Sequence, residues 1–221
     1  VKLDGKTRYF YFLANGQAFN TGYKTVTIDG KKYYFYFGSN AQARTSELID
    51  IPLGERTAYM LFEKDGRAFT DGYKVIKDGD KKDYYYFLRN GQAFTTGYKT
   101  VKIDDKTHYF FFEKNGKAYT KGLKKVPFGD LTYYYYFNSN GRATTAGWET
   151  VKEKTYYFQD NGRAATDAFV KVKGKLYYLN KKSVLKTDGW FCVGDGYYHV
   201  INHNTGLYMA VQNGSTSNGG N

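Results

Sequence analysis

YYYFLRNGQAFTTGYKTV, Tyr84–Val101, carries the pattern that decides the fold. Three tyrosines run into Phe87, Asn90-Gly91 follows, and then come an alanine and Gly97-Tyr98-Lys99. Aromatic residues suit a pleated, half-buried surface. Asn-Gly is the strongest short hairpin signal, because both residues accept positive φ. The phrase therefore reads as a short β-hairpin followed by a connector.

The phrase repeats. Its turn dipeptide recurs as Asn15-Gly16, Asn40-Ala41, Asp65-Gly66, Asn90-Gly91, Asn115-Gly116 and Asn140-Gly141, each 25 residues after the last. Asn161-Gly162 follows at a shorter spacing, and the pattern then decays through Tyr177-Tyr178-Leu179-Asn180 and Tyr197-Tyr198. An isolated hairpin is marginal in water. Stacked hairpins can bury one another's faces, which is the logic of a solenoid. The sequence predicts an all-β fold, a β-solenoid of stacked β-hairpin repeats with turns at these dipeptides.

Two positions hardly change. Phe12, Phe37, Phe62, Phe87, Phe112, Phe137 and Phe158 precede the turns and are expected in a dry interior. Ala18, Ala43, Ala68, Ala93, Ala118, Ala143 and Ala164 follow the turns, where neighbouring hairpins are expected to touch. The variable positions are the candidates for binding. A long polar residue follows the turn glycine at Gln17, Arg67, Gln92 and Arg142. Further on stand Tyr23-Lys24, Tyr73-Lys74, Tyr98-Lys99 and Trp148. The second and fifth copies carry Leu48 and Leu123 instead of a ring.

Composition narrows the classes. The chain has 221 residues, of which 20% are aromatic, with 25 Tyr, 17 Phe and 2 Trp. Tyrosine joins a stacking face to a polar tip, which suits surfaces that are half core and half binding face. The net charge of +12 attracts polyanions, but the basic residues are spread without a long run and fit an ordinary solvated surface equally well. A single cysteine, Cys192, allows no intrachain disulfide. The chain opens in mid-pattern, at VKLDGKTRYFYF, and reads as part of a longer polypeptide.

Gly97-Tyr98, Tyr109-Phe110-Phe111-Phe112 and Asn115-Gly116 together resemble the cell-wall-binding and glucan-binding repeat superfamily. That superfamily includes the C-terminal glucan-binding repeats of glucansucrases, choline-binding modules and the repeats of clostridial toxins. The resemblance spans about Tyr9 to Tyr208 and implies sites in the grooves between successive hairpins. Choline-binding repeats use tryptophan-rich cages around a quaternary ammonium. Here a lysine follows most candidate rings, so choline ranks second. Gln92, Tyr98 and Lys99 resemble the glucan set, a ring platform with donors for sugar hydroxyls. The second copy, Ala43–Phe62, and the connector around Pro127 depart from the pattern, as decayed repeats or as bends in the solenoid.

Other chemistry is weakly signalled. His199 and His203 lie on an expected strand, outside the helical setting of a zinc motif. Asp104-Asp105 reads as a turn rather than an acid/base pair. Rings interleaved with lysines can grip single-stranded nucleic acid, but the repeat offers no continuous sheet face for it. The expectation is a monomeric, non-catalytic module over 1–210 with a Gly/Ser/Asn-rich tail at 211–221. It needs no cofactor or metal, binds no nucleic acid and inserts in no membrane. Its partner is an α-glucan polysaccharide or a cell-wall polymer. Its place is extracellular, secreted or cell-wall associated in a bacterium.

Overall fold

A computed structural model describes residues 1–3 and 5–187. The expected domain boundary at 210, Trp190, Cys192, Tyr197-Tyr198, His199, His203 and the tail lie outside the described residues. Val1–Lys186 packs as one unit. No helix occurs among the described residues, and hence none long and apolar enough to cross a membrane.

Among the described residues, seven antiparallel hairpins follow one another, each its own two-stranded sheet. The first pairs Gly22–Ile28 with Lys31–Phe37, and the second pairs Glu47–Leu53 with Arg56–Phe62. The third pairs Gly72–Asp78 with Lys81–Phe87, and the fourth Gly97–Ile103 with Lys106–Phe112. The fifth pairs Gly122–Phe128 with Leu131–Phe137. The sixth and seventh are shorter, Gly147–Val151 with Lys154–Phe158 and Ala168–Val172 with Lys175–Leu179. A minimal pair, Lys2–Leu3 with Lys6–Thr7, precedes them.

The hairpins turn inside what the sequence suggested was connector, not at Asn-Gly. Asp29-Gly30 closes the first hairpin with φ of 51° and 76°, and Asp104-Asp105 closes the fourth with 50° and 59°. Positive φ at both positions is the turn whose twist matches that of paired strands. Gly54, Gly79 and Gly129 supply one positive φ in the second, third and fifth hairpins. Asp104-Asp105 is thus the turn pair its sequence suggested.

The Asn/Asp-Gly dipeptides form a second, smaller turn after each aromatic strand. The amide of Gly91 donates to Leu88 O at 2.9 Å, and the amide of Leu88 donates to Gln92 O at 2.8 Å. The amide of Gln92 in turn donates to the Asn90 carboxamide oxygen at 3.1 Å. The chain then returns for a single bridge, Phe87 with Ala93. Each unit is therefore strand, turn, strand, tight turn and a short returning segment.

That returning segment joins the copies. The amide of Ala93 donates to Tyr59 O at 2.8 Å, and the amide of Ala118 donates to Tyr84 O at 2.8 Å. Each alanine thus bonds to the aromatic strand of the copy before it. The turn glycine of the next copy lies against it: a Cβ on Gly91, Gly116 or Gly141 would stand 3.0 Å from the Cβ of Ala68, Ala93 or Ala118. This crowding explains the alanine column, as its constancy predicted. The asparagine column puts Ala41 at the second turn position, where its φ is 60°.

The phenylalanine column divides. Phe62, Phe87, Phe112, Phe137 and Phe158 are fully buried. Phe12 is 60% exposed, contrary to the sequence expectation. Residues 8–12 form no strand pair, so no hairpin lies there to enclose that ring. The two departing copies are regular. Pro52 pairs with Thr57 and Pro127 with Thr132 in full register. A two-residue loop makes the pair flanking it hydrogen-bonded, so the next pair inward is not, and each proline there removes no ladder bond. Neither a bend nor a decayed hairpin is present at these places.

Candidate functional site

Side chains alternate across a strand, so Tyr98 and Lys99 point to opposite faces of their hairpin. That separates the set the sequence placed together. Tyr98 points towards the following hairpin. Its ring centroid lies 5.1 Å from Phe128 and 5.1 Å from Tyr135, and it stacks at 5.9 Å on Tyr109, a diagonal neighbour on the paired strand. Tyr73 likewise lies 5.3 Å from Phe110 and stacks on Tyr84. Tyr23 stacks on Tyr34 and packs against the second hairpin's core of Ile51, Met60 and Phe62. Leu48 and Leu123 fill the same seams in their copies. The candidate rings are therefore half-buried seam residues before they are platforms.

Their ionisation reports the same burial. Desolvation raises the Tyr23 phenol, pushes Tyr73 up to about 12, and raises Tyr98 further, with Tyr135 adding to it. The folded chain holds these protons more tightly than the unfolded one, so losing them favours unfolding. Stability is intact below the ordinary phenol value of 10.0 and is lost as pH climbs towards about 12. The melting temperature should thus stay level at neutral pH and fall above pH 10, followed by circular dichroism. A melting temperature that is flat up to pH 12 would contradict seam burial.

The lysines point the other way, onto rings of the preceding copy. Lys99 Nζ lies 4.3 Å from the Tyr86 centroid and 5.1 Å from that of Phe94. Lys24 lies 4.7 Å from Tyr11 and 5.0 Å from Phe19. Lys74 lies 4.4 Å from Phe69, with Glu63 Oε1 at 3.6 Å. Lys124 repeats this over Tyr119 and Phe111, with Glu113 Oε1 at 3.6 Å. Four ring sets thus hold a cation from their own chain, a favourable use of the negative ring face. The sequence reading missed Phe19, Phe69, Phe94 and Tyr119. Their signal was present, an aromatic directly after Ala18, Ala68, Ala93 and Ala118.

The residue after the turn glycine reaches back to the third residue of the preceding hairpin's second strand. Arg67 lies with its guanidinium 4.1 Å over Tyr33, and its Nε is 3.4 Å from Asp65. Arg163 lies 4.1 Å over Tyr133. Lys117 Nζ meets Asp83 Oδ2 at 2.6 Å. Gln92 meets the position of Ala58, whose small side chain leaves room. A groove of about 530 Å³ opens there, lined by Arg56, Thr57, Tyr59, Gln92, Phe94 and Thr95 among others. A companion groove of about 600 Å³ includes Tyr33, Arg67, Phe69, Thr70 and Arg89. Gln17 is exposed, and its side-chain oxygen accepts from the Asn15 carboxamide at 3.0 Å.

Trp148 stands apart from the tyrosine copies. It lies 4.8 Å from Tyr157 and 5.0 Å from Tyr177, and the next residue is Glu149 rather than a lysine. Among the described residues no cluster of His, Cys, Asp and Glu is placed to hold a metal.

The described residues thus form a repeat of stacked hairpins whose seams carry rings and whose grooves carry donors. Residues 145–183 match the family model of the choline-binding repeat. The choline-binding domain of CbpL from Streptococcus pneumoniae shares the fold at 20% identity and a TM-score of 0.57. That match covers 96% of this chain and 97% of that one. Choline binding protein F from the same organism is 22% identical with a TM-score of 0.50, over 91% of this chain and 79% of its own. A comparison with curated proteins finds no sequence relative. A choline-binding repeat is a binding module and not a catalytic one.

Proposed function

We propose that this chain is a non-catalytic, extracellular carbohydrate-binding module that acts as a monomer and holds a secreted or surface protein on α-glucan. The observation that carries this reading is the groove at Gln92. It offers ring faces from Tyr59 and Phe94, a carboxamide, threonine hydroxyls and an arginine within one inter-hairpin cleft. Rings take the apolar side of a sugar, and the donors and acceptors take its hydroxyls. Arg67 supplies the corresponding groove one copy earlier. In this reading Gln17 and Arg142 hold the same post-turn position, and Tyr23, Tyr73 and Tyr98 build the groove walls from the seam side. Lys24, Lys74 and Lys99 serve as resident cations of the ring sets and exclude an external one.

A second reading, attachment to a choline-bearing or anionic wall polymer, is favoured by the family match at 145–183. There Trp148, Tyr157 and Tyr177 cluster, and their ring faces suit a quaternary ammonium. The two readings differ by place. Each groove alone is shallow, and a repeating polymer gains by engaging several at once. Gln92→Ala should weaken retention in gels containing dextran or a starch-type glucan while changing the melting temperature little, since Gln92 is only half-buried at the groove. Unchanged retention of Gln92→Ala in every glucan would remove the groove from the site.

A further inference from the structure

The groove at Arg67 and the groove at Gln92 are one place in the repeat, met in successive copies. Nearly every residue lining the first has its counterpart 25 residues on in the second. Phe69 and Thr70 become Phe94 and Thr95, so the ring and the hydroxyl persist. The charges do not persist in the same way.

The first groove holds its charge in pairs. Arg67 Nε lies 3.4 Å from Asp65 Oδ2, and Arg89 Nε lies 3.4 Å from Asp71 Oδ2. Glu63 lines the same groove, with Lys74 Nζ at 3.6 Å. In the second groove all three carboxylates are gone: Leu88 stands for Glu63, Asn90 for Asp65 and Thr96 for Asp71. Two cations remain, Arg56 in the place of Lys31 and Lys114 in the place of Arg89. No carboxylate lines this groove among the described residues. Neither Arg56 nor Lys114 forms an ion pair there, and both side chains are exposed, open to a ligand. One copy further on, the same place is taken up by Lys117 Nζ on Asp83 Oδ2 at 2.6 Å, with Lys81 Nζ 3.8 Å from that carboxylate. Of these three copies, the middle one turns unpaired cations onto an open cleft. A cleft lined by one sign of charge concentrates the opposite sign.

We propose that the Gln92 groove takes an acidic sugar unit, a hexose bearing a carboxylate or a phosphate, in preference to a neutral one. This rests on the reading of that groove as a sugar site. Tyr59 and Phe94 take the apolar side of the hexose, Gln92 and the hydroxyls of Thr57 and Thr95 take its hydroxyls, and Arg56 and Lys114 take the anionic group. A guanidinium presents paired N–H donors that match the oxygens of either anion. The Arg67 groove, whose arginines already hold carboxylates, gives an acid no such advantage.

The test titrates the full chain with D-glucose, D-glucuronate and D-glucose 6-phosphate at equal ionic strength, and follows the Phe94 and Thr95 resonances by NMR. At low salt the acids should bind about fivefold more tightly than glucose, the scale of two exposed charged contacts. The margin should shrink as salt rises. A preference for glucuronate alone would assign a carboxylate, and one for glucose 6-phosphate alone a phosphate. In Arg56→Gln combined with Lys114→Gln, both acids should fall to the affinity of glucose. Lys175→Gln, at the register position of Arg56 in the seventh hairpin, should keep the preference. Equal affinity of acids and glucose for the wild type, or a preference that survives the double variant, overturns the proposal and leaves the sugar groove standing. No saturable shift at Phe94 and Thr95 with any of the three sugars overturns both.

Discussion

Phe112→Ala should destabilise the repeat unit by about 3–5 kcal/mol, while Phe12→Ala should change it by less than about 1 kcal/mol. The two residues hold the same place in the repeat pattern, yet Phe112 is fully buried and Phe12 is 60% exposed. Phe112 packs with Val101, Phe110 and Ala118 against Tyr73, Tyr84 and Tyr86 of the preceding hairpin, and Phe94 meets it edge-on at 5.8 Å. Truncation leaves a ring-sized cavity at a seam where two copies meet, and the surrounding rings relax only in part. Removing Phe12 exchanges an exposed ring for solvent. Urea denaturation of both variants separates the cases, and equal losses would mean that the stack is not enclosed as described.

Gly116→Val should cost roughly 2–5 kcal/mol, from left-handed backbone strain and overpacking together. Gly16→Val should cost only the first part, roughly 1–2 kcal/mol. Both glycines have positive φ, 76° and 81°. A Cβ on Gly116 would lie 3.0 Å from the Cβ of Ala93 and 3.5 Å from the Tyr85 ring, whereas a Cβ on Gly16 meets nothing within 4 Å. The backbone amide of Ala118, two residues on, carries the bond to Tyr84 O, so a displaced turn also pulls on the inter-copy link. The difference between the two variants measures the glycine–alanine contact itself. Equal costs would assign the whole effect to backbone strain.

Much of the architecture was legible because period and turn chemistry are local. The repeat of Asn-Gly and the alanine column announced stacked hairpins, and the stacking contact falls where that alanine said it would. The main hairpin turn was not read, since Asp29-Gly30, Gly79-Asp80 and Lys152-Glu153 share no single dipeptide; the first and last hold both residues at positive φ, the second only its glycine. The site was harder. Gln92, Tyr98 and Lys99 are close in sequence, but alternation sends Tyr98 forward into one seam and Lys99 backward onto Tyr86 in another. Strand period 2 contained that information. What no single copy contained was the cross-copy partner: Ala58 opposite Gln92 lines a groove, while Asp83 opposite Lys117 forms an ion pair.

The lysine placement also bears on ligand choice. Each of Lys24, Lys74, Lys99 and Lys124 occupies ring faces that a quaternary ammonium would need. An incoming cation must displace a tethered one and meets its charge nearby. Neutral sugars face no such competition in the adjoining grooves.

Retention of the full chain in native gels cast with dextran or a starch-type glucan tests the central claim most directly. Stacking and hydroxyl hydrogen bonds are little screened, while contacts to a phosphate polymer weaken steeply with salt. The account predicts retention in at least one glucan that persists from low to moderate salt and is not released by free choline. Retention that collapses with salt, or that choline releases, would contradict it.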